Sequence, residues 1–235
     1  MKKALLLLPI AVLCLTTFAS ADTYITSGCR ACGFTTDVID WGQLGPPLTF
    51  VNTPALVFSL GGTNAALVGN ANLGQFITMQ SGITWNGNFD YGENLVWTGN
   101  PNFGIGSGGP FVIELANSVG GIGFGIQADF YGPFVAFVGI YDSTLTYQTT
   151  LTFLGNSTGS LAGDNLFMGI QDKTAVNIGA VVISTISPNI GPIGTNDFAL
   201  DAVSFNYTTP EPGTLVLLGS GLIGAAGLIR RMLGR

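Results

Sequence analysis

Residues 22–208 read as all-β, a single antiparallel β-sandwich of jelly-roll type, set between a cleaved N-terminal signal peptide and one C-terminal transmembrane helix. Three observations predict this. Apolar and polar residues alternate with period two in several segments, as half-buried strands do. Turn markers recur between them, at Gly132-Pro133, Asp142-Ser143, Gly155-Asn156-Ser157 and Pro188-Asn189. Outside the two ends, no stretch keeps a helical period for more than two turns. Many short strands at this spacing argue for a sandwich.

Met1-Lys2-Lys3 is a basic opening, Ala4 to Leu15 an apolar run too short for a normal span, and Ala19-Ser20-Ala21 a small-x-small cleavage pattern. Residues 1–21 are therefore expected to be removed by signal peptidase, and the mature chain to begin at Asp22. Cys14 does not make a lipobox, because Leu13 stands where a small residue belongs.

Cys29 and Cys32 remain after cleavage, spaced Cys-Arg-Ala-Cys. In a reducing compartment that spacing suggests a redox or half-zinc motif. In an oxidising one, with no second pair, a small disulfide loop is the better reading. So tight a loop constrains little of the unfolded chain.

The N-terminal half, Tyr24 to Asn100, alternates weakly, and Trp41 to Pro47 looks like a strand end passing into a loop. Gly121 to Phe130 alternates without error, with Ile122, Phe124, Ile126, Ala128 and Phe130 on one face. Phe134 to Tyr141 is apolar apart from one glycine, as a strand covered on both faces would be. Leu145, Tyr147, Thr149, Leu151 and Phe153 alternate with Thr146, Gln148, Thr150 and Thr152. Val176 to Ile186 and Phe198 to Tyr207 complete the set. No linker divides the halves, so one domain is expected, and the absence of a fixed repeat weighs against a solenoid.

Between residues 22 and 208 only Arg30 and Lys173 are basic, against twelve acids, a net charge of −10. That field repels nucleic acid and anionic membrane surfaces and suits divalent cations or neutral glycans. There is no histidine, which removes the commonest general base and metal ligand.

Residues 209–235 combine three parts. Pro210-Glu211-Pro212 precedes an uncharged, glycine-rich run from Gly213 to Ile229, which ends on Arg230-Arg231. As a helix the run would reach about 25 Å, the short end of what spans a bilayer core. The prolines fix its start and the arginines hold its end on the cytoplasmic side. This order closely resembles the bacterial PEP-CTERM sorting signal, also known as the ice-binding protein C-terminal domain. Pro210, Glu211 and Pro212 match its box, and Arg230 and Arg231 its basic stop. The resemblance implies processing near the box by exosortase, a membrane-embedded transpeptidase-like enzyme. It also implies an exported protein, held in the inner membrane before processing, of bacteria that make exopolysaccharide and build biofilm.

The body also resembles a set of exported proteins with this tail. It shares their Asp-x-x-x-Trp-Gly-Gln-Leu-Gly opening (Asp37 to Gly45, with one residue of slack), their central Ile126 to Phe134 segment and their closing Asp197 to Asp201 strand. The closing strand is similar to the last strand of carbohydrate-binding jelly rolls.

Candidate chemistry is sparse. Gly104-Ile105-Gly106-Ser107-Gly108-Gly109 and Gly123 to Ala128 fit Gly-x-Gly-x-x-Gly/Ala, but neither opens a helix, so nucleotide binding is set aside. No Gly-x-Ser-x-Gly elbow occurs, and without histidine a serine triad is excluded. Paired carboxylates suffice for glycoside hydrolysis. Asp129 and Asp142, expected on neighbouring strands, and Asp90 and Glu93, in one loop, are the pairs on offer. No cofactor is required. A structural calcium is the one metal considered, because Asp37, Asp40, Asp197 and Asp201 flank the first and last strands, which often lie together in jelly rolls. Turn and cap chemistry is the rival reading of those aspartates.

Trp41, Trp85, Trp97, Tyr91 and Tyr131 are either core or stacking platforms for sugar rings. Trp85-Asn86-Gly87-Asn88-Phe89-Asp90-Tyr91 mixes aromatic and amide groups as a glycan site does, which makes Trp85, Asn88 and Tyr91 the ligand candidates. Thr146, Thr150 and Thr152 form one row of an ice-binding face, interrupted by Gln148. The expected function is a structural or adhesive protein of the cell surface or matrix, with exopolysaccharide as a candidate ligand. A carboxylate-dependent glycan-active enzyme is the alternative, and an ice-associated role comes third.

Overall fold

The computed structural model describes residues 24–28, 34, 36–99, 108–187 and 197–207. The signal peptide, Cys29 and Cys32, Gly104 to Ser107, Pro210 to Pro212, the 213–229 span and Arg230-Arg231 lie outside the described residues. Among the described residues no helix is long and apolar enough to cross a membrane.

Among the described residues, fifteen strands and one 3-10 turn follow one another. The first seven strands are short: β1 (Tyr24–Ser27), β2 (Asp37–Ile39), β3 (Phe50–Asn52), β4 (Ala55–Phe58), β5 (Ala65–Asn70), β6 (Gln75–Gln80) and β7 (Asn94–Trp97). The long ones come next: β8 (Phe111–Val119), β9 (Gly121–Ala128), β10 (Gly132–Asp142), β11 (Tyr147–Ser157), β12 (Leu166–Asp172) and β13 (Ile178–Ile186). The chain closes with β14 (Phe198–Leu200) and β15 (Val203–Asn206). They form two sheets. Nine strands run in the order β1-β12-β9-β14-β7-β6-β3, with β15 and β2 continuing beside β9, and six in the order β11-β10-β13-β8-β5-β4. Every strand pair is antiparallel. The architecture is a two-sheet all-β sandwich, and its opening and closing strands meet: Val203 to Phe205 pair with Ile39 to Asp37.

The core lies between the sheets. Phe76, Ile122, Phe124, Ile126, Phe198 and Phe205 come from the larger one, and Phe111, Ile113, Val138, Ile140, Val181 and Ile183 from the smaller. Phe111 is the junction: Phe76 and Trp41 both set their rings edge-on to it, at 5.2 and 6.3 Å between centroids. Each such side chain removed from water contributes roughly 1.5–3 kcal/mol.

The structure corrects four expectations. Strand β10 is not covered on both faces: Phe134, Ala136, Val138 and Ile140 are buried, while Val135, Phe137 and Gly139 are half-buried on an open face. Tyr147 does not share the face of Leu151. The β10–β11 register shifts after Ile140, so Tyr147 stands opposite Tyr141 on the outer face, rings 5.7 Å apart. Trp41 to Leu44 is a 3-10 turn capped by the Asp40 carboxylate, not a strand end. Phe198 to Tyr207 is not one strand, because β14 and β15 part at Asp201-Ala202.

Candidate functional site

All eight residues of β9 are buried, although its second face is glycine and glutamine and points away from the core. A second layer lies on that face. Residues 81–92 fold over the larger sheet and close a small core of Ile77, Met79, Trp85, Phe89, Leu95 and Ala199. The glycines make the close approach possible. A Cβ at Gly123 would stand 2.5 Å from Cζ of Phe167, and one at Gly125 1.7 Å from Nδ2 of Asn165.

Gln127 pins the layer down. Its Oε1 accepts from Trp85 Nε1 at 2.9 Å and from the Asn88 amide at 2.8 Å, while its Nε2 donates to the Thr158 carbonyl at 2.9 Å. Asn88 staples this layer to the β11–β12 loop: its Oδ1 accepts from the Thr158 amide at 2.7 Å, and its Nδ2 donates to Asp164 Oδ1 at 2.7 Å. Of the sequence-predicted ligand residues, Trp85 (6% exposed) and Asn88 (2%) are therefore internal structure. Tyr91 stays on the surface, 70% exposed, with its ring against Gly82.

Between the two loops and the sheet lies a cleft of about 340 Å³, lined by Asp90, Glu93, Asp201, Asn165, Phe167, Gly28 and Gly163. Phe167 forms an apolar wall, held edge-on by Phe34 at 5.7 Å. Asp201 explains the break between β14 and β15. Its amide donates to the Gly125 carbonyl at 3.1 Å, and its Oδ1 accepts the Gly125 amide at 2.5 Å. The carboxylate thus closes the ladder where the backbone leaves it. Its Oδ2 accepts from Asn165 at 3.3 Å, and its carbonyl from the buried Trp41 indole at 2.7 Å. The sequence offers Asp201 only as a calcium candidate and does not single out Asn165, because 36 residues separate the two.

The four aspartates considered for calcium serve separate networks. Asp37 Oδ1 accepts from the amides of Val38 and Gly61, and its Oδ2 from Thr63. Burial alone would raise its pKa, but the bonds from Ser59, Thr63, Gly61 and Val38 outweigh it and hold the carboxyl at about 2. Asp40 caps the 3-10 turn and accepts from Asn94 at 3.0 Å. Asp197 accepts from the Gly108 amide. Among the described residues no three His, Cys, Asp or Glu side chains gather as a metal site needs.

The carboxylates of the expected hydrolytic pair are also apart. Asp129 follows β9 in the larger sheet, and Asp142 ends β10 in the smaller, about 30 Å further along that strand. They are not on neighbouring strands. Asp129 keeps an exposed flank, yet the protein around its carboxyl and the like charge of Asp197 push it up to about 6. Asp142 is lowered by bonds from Thr144, Thr146 and Gln148. The threonine row does not widen either: Thr150 and Thr152 face Gly139 and Phe137 across the ladder.

Residues 208–231 match the family model of the PEP-CTERM protein-sorting motif. The chain carries that motif, which marks a protein exported, sorted toward the cell surface and processed by exosortase. No curated protein matches the chain. Among solved structures, it is similar to a DUF4465 family protein from Bacteroides caccae, with 13% identity and a TM-score of 0.43, over 72% of this chain and 98% of that one. It is also similar to the CBM22-1–GH10 modules of Clostridium thermocellum xylanase 10B complexed with xylohexaose, with 13% identity and a TM-score of 0.30. That match covers 69% of this chain and 28% of the other.

Proposed function

We propose that the protein is an adhesive or structural component of the cell surface or extracellular matrix, and that it holds neutral glycan in the cleft framed by Asp90, Glu93 and Asp201. In this reading residues 1–21 are removed on export, 213–229 span the inner membrane until exosortase acts, and the sandwich is of jelly-roll type. The cleft carries the argument. The carboxylates of Asp90 and Glu93 accept hydrogen bonds from sugar hydroxyls, Asn165 both donates and accepts, and Phe167 offers an apolar wall. Asp201, 2% exposed and already bonded to Gly125 and Asn165, adds its charge at the cleft floor. Its volume lies at the small end for ligand sites. Three carboxylates repel phosphate, sulfate and uronate, so the favoured ligands are neutral sugars.

The enzymatic alternative now rests on Asp90 and Glu93, which line the same cleft. Incubating the mature protein with the neutral polysaccharides of the producing cells separates the readings. Retention on the polymer with no new reducing ends is expected. Release of reducing ends that stops in an Asp90→Asn variant would make the protein a hydrolase, and failure to retain any polymer would remove the glycan reading.

A further inference from the structure

We propose that β11 is a self-pairing edge through which two copies of this chain join antiparallel into one continuous sheet. This inference does not rest on glycan binding.

Strand β11 closes one side of the six-stranded sheet, and among the described residues its strand partner is β10 alone. An edge strand presents a row of backbone donors and acceptors that template pairing, and proteins usually guard it with shortness, charge or proline. Three of the edges here are short: β1 and β4 have four residues each, and β3 has three. Strand β11 has eleven, Tyr147-Gln148-Thr149-Thr150-Leu151-Thr152-Phe153-Leu154-Gly155-Asn156-Ser157, with no charge and no proline. Its one irregularity lies at the Tyr147 end, so Thr149 to Ser157 keep an unbroken register with β10.

The exposed side chains fit the same reading. Leu154 is 77% exposed, and Thr150 and Thr152 stand beside it on the outer face. Pairing about Thr152 sets Thr150 opposite the partner's Leu154 and Leu151 opposite the partner's Phe153. Such β-branched and aromatic cross-strand pairs stabilise a ladder. Charge selects the place. The body carries −10, so two copies repel over most approaches, whereas β11 brings no charge to the joint. Among the described residues each copy has one such edge, so the two-fold contact closes at a dimer.

Sedimentation velocity of the mature protein over a range of concentrations tests this, with Thr152→Lys and Phe58→Lys as variants. Phe58 lies on β4, the opposite edge of the same sheet. The expected result is a dimer for the natural protein and for Phe58→Lys, and a monomer with unchanged circular dichroism for Thr152→Lys. A natural protein that stays monomeric, a Thr152→Lys dimer, or dissociation by Phe58→Lys overturns the proposal. Thr152→Cys gives the register. Facing residues of an antiparallel pair have Cα atoms about 4.5–5.5 Å apart, within disulfide reach, so oxidation is expected to link the dimer covalently. A dimer that stays unlinked overturns pairing about Thr152.

Discussion

Asp37 shows what one side chain does for the closure of this sandwich. It sits where β2 meets β15, and its carboxylate gathers the 59–63 turn by bonds from Gly61 and Thr63. Replacing it by alanine leaves several donors without an acceptor in a site only 6% exposed, and should cost about 2–3 kcal/mol in chemical denaturation. Its titration has a sign. The folded pKa of about 2 lies below the ordinary 3.8, so its stabilisation is present above pH 4 and lost as pH falls toward 2. Asp129 acts in reverse. Raised to about 6, it favours the fold fully below pH 4, and that contribution is lost as pH rises through 6. Taken by themselves, these two groups favour the fold most near pH 4. A thermal melt against pH should show the fall between 4 and 6 disappear in Asp129→Asn, while the fall below 4 persists.

The glycine face of β9 and the layer upon it decide the site at the scale of elements. Gln127→Ala would remove the acceptor of a buried indole N–H and of the Asn88 amide. Faster hydrogen exchange across residues 81–92, with the inter-sheet core unchanged, is the expected outcome. Gly125→Ala would drive a methyl into Asn165 and Asp201, and on the proposed glycan reading the variant should be retained less on neutral polymer. The strands themselves were largely legible, because a core on one side imprints period two on Gly121 to Ala128 and Thr149 to Phe153. The second layer was not. A glycine on a strand reads as an outward position, and only the fold shows that Phe167 and Asn165 lie over it. Asn88 misled for a related reason, since an amide that satisfies buried loops has the same composition as one that awaits a sugar. The cleft draws on residues 28, 90, 93, 163, 165, 167 and 201, a set that no local spacing announces.

At the scale of the whole molecule, the tail was the most legible part, because its parts are contiguous and its order is specific. Intact mass from cells with active exosortase should give a chain beginning at Asp22 and trimmed near Pro210 to Pro212. Cells lacking the enzyme should keep the tail. Whether the sorted sandwich holds neutral glycan between Asp90, Glu93 and Asp201 is decided by calorimetric titration of the mature protein and its Asp90→Asn variant. The titrants are neutral and uronate-containing polysaccharides from the producing cells. The neutral polymer should bind, roughly tenfold more weakly to the variant, and the acidic one should not bind. Equal affinity of both proteins for the neutral polymer, or preference for the acidic one, would contradict it.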